Sequence, residues 1–509
     1  MELLAVTAAA ALLIYRNRNK TSQHPYVSTS HLITKSIITS APGKVLITGG
    51  YQVLEKPRQG IVIAGDARFH TTAQWRDYDN SSITKLPGHQ CYVLVRSSQF
   101  SSVTLYEITA SFATNSLCCA HSIPFRDGAI GCGITSPPSH NPYVHTTLVY
   151  TFTALMANMH YMKNRLCEFQ QLSNNGYLEI VLNADNCFYS QQQAFAERGL
   201  PPMAVSYAAL EPFARPTAIS KTGLGSSATL VSSLVGALMT SVAQHVLPTI
   251  DDSFETLVDM KPTINMAHVL AQVCHVVAQG KVGSGFDVCA AVYGSICYER
   301  YTPALLSKFL NNENGVESPT ARDLINILND KQWDHVAMPF GLPDGLEMML
   351  GDIAQGSSTP SMVRKVKTWR TNKESQVLWD ELNKTNNSIL ENFDFMRDDD
   401  SIDGLRISQL FLKAREQLKE MGKAAGVDIE PNEQTELCNA TMLLKNVLAC
   451  GVPGAGGNDA VFVIYQGGEK TRNDIEMFWY EWRKDKKIQL CAMPLRGTPH
   501  GKPGLRIEV

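Results

Sequence analysis

The sequence predicts a mixed α and β fold in two parts, on three observations. Short apolar runs broken by Gly and Pro recur along the chain and read as strands. Longer stretches carry apolar residues at helical period. A polar, locally helical stretch near residues 311–332 divides the chain and reads as a connection. No fixed-period repeat is present.

The elements follow in order. Val45-Leu46-Ile47 and Ile61-Val62-Ile63-Ala64 read as strands, and residues 77–139, polar with several Ser and Pro, read as strands joined by long loops. Asn141-Pro142-Tyr143 opens a helix that continues to about residue 161, with Pro where a missing N–H costs nothing. Residues 178–182 form another strand. The helix from Ser226 to about residue 246 carries Leu230, Val231, Leu234, Val235, Ala237 and Leu238, which cannot share one face. Such a helix must be buried nearly all round. A helix over 265–278 stops at Gly280, and one over 405–425, with the stripe Phe411, Ala414, Leu418 and Met421, stops at Gly426. Asp398-Asp399-Asp400 reads as a solvated loop. Residues 461–465 form a strand just after a glycine cluster. The organisation expected is an extension at 1–33, an N-terminal domain at 34–303, a connecting segment at 304–332 and a C-terminal domain at 333–505.

At 509 residues the chain has material for about two to four domains. Hydrophobic residues at 44% and charged residues at 18% exclude a wholly disordered or fibrous protein. A net charge of −3 argues against a nucleic-acid partner. The basic stretch 483–487 is interrupted by Asp485 and reads as a solvated face. None of the twelve cysteines forms a Cys-x-x-Cys pair or a zinc-like spacing. They read as reduced, which fits a cytoplasmic setting. Residues 3–15 are apolar apart from Thr7, followed by Arg16-Asn17-Arg18-Asn19-Lys20. The run is short for a membrane span, and its charges follow rather than precede it, unlike a secretory signal. A cytosol-facing anchor, an organelle presequence and a dispensable extension all stay open, so membrane contact is expected only through residues 3–20.

Four motifs carry chemistry. Lys221-Thr222-Gly223-Leu224-Gly225-Ser226-Ser227-Ala228-Thr229 sets two glycines and two hydroxyls at the start of the buried helix. A helix start offers unpaired N–H groups and the positive dipole end, as a polyphosphate requires. It is not a Walker A loop, since no Lys follows the second glycine. A serine-capped helix after a turn would read the same way. The stretch 451–457 holds four glycines before a strand, which suits a tight crossing, a ligand approach or a plain turn. Gly280-Lys281-Val282-Gly283-Ser284-Gly285-Phe286-Asp287 places an acid and a lysine beside a glycine turn. An Asp there can orient an acceptor or a lysine, or simply cap a turn. Ala41-Pro42-Gly43-Lys44 precedes a strand, where Lys44 is either a surface charge or a group reaching into a cleft.

In this order the motifs resemble the GHMP kinase superfamily, through "APGKVLITGGYQVLE", "KTGLGSSAT" and "GVPGAGGNDA". Within it, "GKVGSGFDVCAAVYGS", "QGSSTPSMVRKVKTW" and "EMGKAAGVDIEPNEQTEL" resemble the plant and fungal phosphomevalonate kinases. The resemblance covers roughly residues 36–465. The chain departs from many superfamily members at Gly50, where they have Glu, and at Thr229, where Ala is usual. The resemblance implies an α+β fold in two lobes, the N-terminal one like the ribosomal protein S5 second domain and the C-terminal one ferredoxin-like. It implies ATP- and Mg²⁺-dependent phosphorylation of (R)-5-phosphomevalonate to (R)-5-diphosphomevalonate, a step of the mevalonate route to isoprenoids and sterols. Asp287 and Lys44 match the catalytic pair. Lys221, Gly223, Leu224, Gly225, Ser226, Ser227 and Ala228 match the ATP loop, with Ser226 or Ser227 toward the metal. Ser284, Ser357, Ser358, Thr359, Gly456 and Asp459 match the acceptor side, and residues 186–190 border the nucleotide. The alternatives are another GHMP kinase, such as mevalonate kinase, or a catalytically silent regulatory member. The "GSSTPSMVRKVK" segment argues against the first, and the presence of Asp287, Lys44 and the serine pair against the second.

Overall fold

The computed structural model describes residues 36–508, apart from 79–90, 98, 110–116, 124, 127–128, 131–140, 161–162, 218–219, 253, 311–318, 331–332, 355–358 and 400–402. The expectations for residues 1–33, for Ser357 and for Ser358 therefore fall outside the described residues.

The first lobe is built from β1 (Ile37–Leu46), β2 (Gln59–Asp77), β3 (Cys91–Ser97), β4 (Ser102–Thr109) and β5 (Cys119–Ile123). A short separate pair follows, β6 (Phe125–Arg126) and β7 (Ala129–Ile130), and then β8 (Gly176–Ala184), β9 (Ile296–Glu299) and β10 (Val336–Pro339). The second lobe contributes β11 (Leu346–Asp352), β12 (Val447–Gly451), β13 (Ala460–Gln466) and β14 (Cys491–Ala492), and β15 (Arg506–Glu508) returns to the first. The first sheet runs β10-β9-β2-β8-β3-β4-β5, with β1 beside β2 and β15 beside β1. The helices that build the site are α1 (Pro142–His160), α2 (Ser226–Ala243), α3 (Lys261–Gln279) and α4 (Phe286–Tyr293). Those of the second lobe are α5 (Thr359–Arg370), α6 (Ser375–Asp399), α7 (Gly404–Ala425), α8 (Asn432–Thr441) and α9 (Gly468–Lys486).

The second sheet is ordered β12-β13-β11-β14, and its neighbouring strands are antiparallel. Helices separate β11 from β12 and β13 from β14, which gives the βαββαβ connectivity of a ferredoxin-like lobe. Strand β10 lies past the connecting segment 304–332, yet it pairs with β9, so the first sheet reaches into the stretch assigned to the C-terminal domain.

Helix α2 packs between β1, β2, α1 and α3, and most of its residues are buried, as its all-round apolar sequence requires. By length and composition it would cross a bilayer, but 78% of it is covered by protein. Two local expectations are corrected. β2 extends over 19 residues, well beyond Ile61–Ala64, because its polar positions are satisfied inside the fold. Arg68 donates to the Ser40 hydroxyl and carbonyl and to the Gly504 carbonyl, and it pairs with Glu508 at 3.3 Å. Helix α6 runs to Asp399, so the acidic run closes a helix and Asp398 and Asp399 are not loop residues.

Under the second sheet, Arg415 of α7 forks onto Glu430 with contacts of 2.9 and 2.7 Å, and both side chains are buried. A buried cation left without its anion costs about 3–5 kcal/mol. Glu430→Gln should therefore lower the chemical-denaturation midpoint sharply. The double variant Arg415→Met, Glu430→Leu, which removes both charges, should recover most of the loss. An unchanged midpoint in Glu430→Gln would show that the pair is not buried in solution.

Candidate active site

The site starts from a break in a strand. The β1–β2 register shifts between Pro42 and Lys44. Proline has no N–H for the ladder. Gly43 packs so closely that a Cβ there would lie 3.2 Å from Leu224 Cβ and 3.3 Å from Phe188 Cζ. The shift releases the Lys44 N–H, which donates to the Leu224 carbonyl at 3.0 Å. Lys44 Nζ donates to the Gly223 carbonyl at 2.6 Å and stands 5.4 Å from the centre of the Phe286 ring. Burial pulls the Lys44 pKa below the usual lysine value, opposed by the negative charges of Asp287 and then Asp459.

The loop 221–228 is held from behind. The Thr222 hydroxyl donates to the Cys187 carbonyl at 2.5 Å, Ser190 N–H to the Ser220 carbonyl at 2.8 Å, and Lys221 bridges Tyr189 along the backbone. Residues 186–190 thus form the wall against which the loop is laid. Gly223 and Gly225 have φ of +80° and +81°, the region open to glycine without strain. Gly225 is also the N-cap of α2, where no side chain caps the helix. This corrects the serine-cap alternative. With glycine as N-cap, no capping side chain meets the first-turn N–H groups. Ser226 is buried, while Ser227 Oγ lies 3.0 Å from His275 Nε2. Leu224 and Ala228 are buried, so their side chains shape the loop and only their backbones can meet a ligand. Lys221 is exposed.

The third segment is latched by its carbonyls. Arg300 donates to Gly283, the Tyr298 hydroxyl to Ser284 at 2.7 Å, and the Gln272 amide to Gly285 at 2.7 Å. In a trans peptide the C=O and the following N–H point opposite ways. Three successive carbonyls drawn to buried donors therefore turn the N–H groups of Ser284, Gly285 and Phe286 away from them. Asp287 follows in the first turn of α4. A Cβ on Gly225 would lie 3.2 Å from Lys44 Cε and 3.7 Å from Asp287 Cβ, so the three segments converge on Gly225. His275 Nε2 is 4.0 Å from Asp287 Oδ2. Burial depresses the His275 pKa, Asp287 opposes this, and the charges of Lys281 and Lys221 add to it.

The second glycine cluster joins the lobes. Gly454 N–H donates to the Leu46 carbonyl at 2.9 Å, the Tyr51 hydroxyl to Ala455 at 2.6 Å, and Gly457 N–H to Ile429 at 2.8 Å. A Cβ on Gly456 would be 2.0 Å from the Ile429 carbonyl oxygen, so backbone packing alone requires that glycine. Asp459 accepts the Ile353 N–H at 3.1 Å through its carbonyl, and its charge acts on Lys44. A second tie lies nearby. Asp352 of β11 is fully buried and accepts from Ser190 of the wall at 2.5 Å and from Gln192 just beyond it at 3.0 Å. Burial raises its pKa, and these hydrogen bonds oppose the shift.

The structure thus brings Lys44, the loop 223–228, Asp287 and Asp459 to one place. Thr359 opens α5 and is exposed, with no hydrogen bond to that cluster among the described residues. Lys365 of the same helix donates to the Gly426 carbonyl at 3.2 Å. Sequence reasoning missed Gln272, His275, Tyr298 and Arg300, whose only signal was polarity within apolar runs. It also gave no sign that His268, Cys289 and His335 offer ligand atoms within 4.8 Å of one another. The Gln272 amide nitrogen donates to Gly285 and also faces His268 Nε2 at 3.1 Å. That nitrogen must accept, which puts the His268 proton on Nδ1. Neither nitrogen then has a free lone pair, and the cluster reads as aromatic packing, its two imidazole rings 4.4 Å apart.

Gly225→Ala tests the convergence. The positive φ costs about 1–2 kcal/mol in any L-residue, and the new methyl group pushes on Lys44. A loss of at least tenfold in kcat/KM is expected, with the variant still folded by circular dichroism. Full activity would place Lys44 away from the reacting groups.

No protein-family model matches the chain. Whole-chain relatives are found. The phosphomevalonate kinase ERG8 of Gibberella zeae is 31% identical over 483 residues, covering 93% of this chain and 98% of that one. The peroxisomal phosphomevalonate kinase of Arabidopsis thaliana is 30% identical over 532 residues, covering 92% and 95%. Among solved structures, Streptococcus pneumoniae phosphomevalonate kinase in complex with phosphomevalonate and AMPPNP superposes with a TM-score of 0.55 at 14% identity, covering 91% of this chain and all of that one. A Lin0012 protein from Listeria innocua gives 0.57 at 16% identity. These two share the fold, and the sequence relatives, matched nearly end to end, place the chain in a family: it belongs to the phosphomevalonate kinases.

Proposed function

We propose that the cleft between Lys44, the loop 223–228 and Asp287 moves the terminal phosphoryl group of ATP onto the phosphate of (R)-5-phosphomevalonate. The products are ADP and (R)-5-diphosphomevalonate, and the step belongs to the mevalonate route to isoprenoids and sterols. The carrying observation is the convergence of Lys44 and Asp287 on Gly225, at the helix start that no side chain caps.

The chemistry follows from charge. An acceptor phosphate oxygen must form a bond to the γ-phosphorus while the bond to the β–γ bridging oxygen breaks. Two polyanions repel, so the site must supply cations and aligned dipoles. The first-turn N–H groups of α2 and its dipole face the nucleotide phosphates. The Lys44 ammonium neutralises charge that grows on the transferring group, and Lys221 and Lys281 add positive field. A phosphomonoester loses its second proton near pH 6, so the attacking oxygen is already largely deprotonated at neutral pH. A strong base is then unnecessary. Asp287 orients Lys44 and the acceptor, and no covalent nucleophile is required.

Magnesium is part of this proposal. The Ser227 hydroxyl and the Asp287 carboxylate lie 3.0 and 4.0 Å from the same His275 nitrogen, and both are the hard oxygen donors that this ion takes. When bound, it would supply charge that neutralises the phosphates. A cytoplasmic setting, based on the cysteine usage, is likewise proposed.

The first test is ADP release by the purified protein with ATP and Mg²⁺, comparing 5-phosphomevalonate, mevalonate, homoserine and galactose. Turnover on 5-phosphomevalonate alone is expected; turnover on an alcohol would overturn the acceptor assignment. A second test separates the two site charges. Lys44→Ala should lower kcat by about 10²–10³-fold, whereas Asp287→Asn should keep measurable turnover; the reverse ranking would overturn the roles given. The third is pH. Only the ammonium form of Lys44 neutralises charge, so activity should fall as pH rises through its depressed pKa, below the ordinary value of about 10.4. Lys44→Arg, which stays charged, should lack that alkaline limb in its kcat/KM profile.

A further inference from the structure

The reaction as proposed does not use His275, yet this residue touches both halves of the site. It lies on α3, is 5% exposed, and points its Nε2 at Ser227 Oγ (3.0 Å) and toward Asp287 Oδ2 (4.0 Å). Ser227 stands in the first turn of the phosphate-loop helix, and Asp287 in the first turn of α4. One imidazole nitrogen therefore lies between the segment that takes the nucleotide and the segment that takes the acceptor. The ring is held from two further sides. Gln279, one turn along α3, lies 2.7 Å from Nε2 through its amide nitrogen, and the Tyr143 ring at the start of α1 covers the imidazole at 5.7 Å between centroids.

The Gln279 amide nitrogen also lies 3.2 Å from Nδ1, so it packs across both ring nitrogens. Ser227 is the residue of the phosphate loop that the imidazole holds by a hydrogen bond, which fixes where that hydroxyl sits in the first turn of α2.

We propose that His275 is a positioning residue: it holds the Ser227 hydroxyl in the place where it meets the cation of the nucleotide complex, and it holds the start of α2 in register with Asp287. The proposal rests on the reading of this cleft as an ATP site. A histidine that merely filled space would affect stability alone.

The test is calorimetric titration of AMPPNP into the full chain with and without Mg²⁺, beside steady-state kinetics. In the wild type, Mg²⁺ should tighten nucleotide binding. In His275→Ala that gain should shrink about tenfold and KM for ATP should rise, while KM for 5-phosphomevalonate changes less than about twofold. His275→Gln, which keeps a side-chain hydrogen-bonding group, should recover most of the gain, and it decides the question should the alanine variant fail to fold. Adding His275→Ala to Ser227→Ala should reduce the magnesium gain no further, because for that readout both remove one contact. Additive losses, or a full magnesium gain in a folded His275→Ala, would overturn the proposal. A wild type that binds no nucleotide would overturn the reading of the cleft beneath it, a separate and recognisable outcome.

Discussion

The two bonds that Lys44 makes to the phosphate loop are the constraint on which the site depends. Its backbone N–H goes to Leu224 and its amine to Gly223, so a strand of the first sheet and the loop before α2 are joined at two points on one residue. That is possible only because the β1–β2 ladder lapses at Pro42-Gly43. A regular strand would have spent the Lys44 N–H on its neighbour. The lapse makes the lysine part of the loop, so the cation is fixed in place before any ligand arrives. Preorganised charge of this kind needs no rearrangement to meet negative charge that develops beside it.

The second lobe meets the first through backbone as much as through side chains. Gly454 bonds to Leu46, and Tyr51 reaches Ala455. A Cβ on Gly50 would stand 2.5 Å from the Gly454 carbonyl oxygen. The departure from the superfamily at Gly50 then has a steric reason, because a glutamate could not occupy this crossing without moving it. The buried Asp352 ties β11 to Ser190 and Gln192, so the wall that supports the loop is itself anchored in the second sheet. The lobes are thus tied on both sides of the loop.

Much of this was legible in the sequence where one residue type has one physical use. Glycines at Gly223, Gly225, Gly280 and Gly426 marked the turns where φ is positive, and the all-round apolar run after Ser226 marked a buried helix. What stayed hidden depends on partners distant in the chain. Arg68 interrupts a strand pattern that only Ser40, Gly504 and Glu508 make tolerable. Arg300, Tyr298 and Gln272 look like polar residues in apolar runs until their carbonyl partners at 283–285 are known. The serine that seemed to cap α2 is freed from that task by Gly225, and local sequence does not distinguish the two arrangements. The acidic residues at 398–399 end a helix although the dipole there disfavours them, against the local preference that made them read as a loop.

The pairing of β15 with β1 has a consequence for how the protein is made. The strand that carries Lys44 has β2 on one side, and on the other its only partner among the described residues is 506–508. During synthesis that edge must wait for more than four hundred residues before its partner leaves the ribosome. Contacts of such long separation are slow to form, and an open strand edge invites pairing with another chain. The strand that carries Lys44 therefore keeps an edge open to mispairing until β15 is in place.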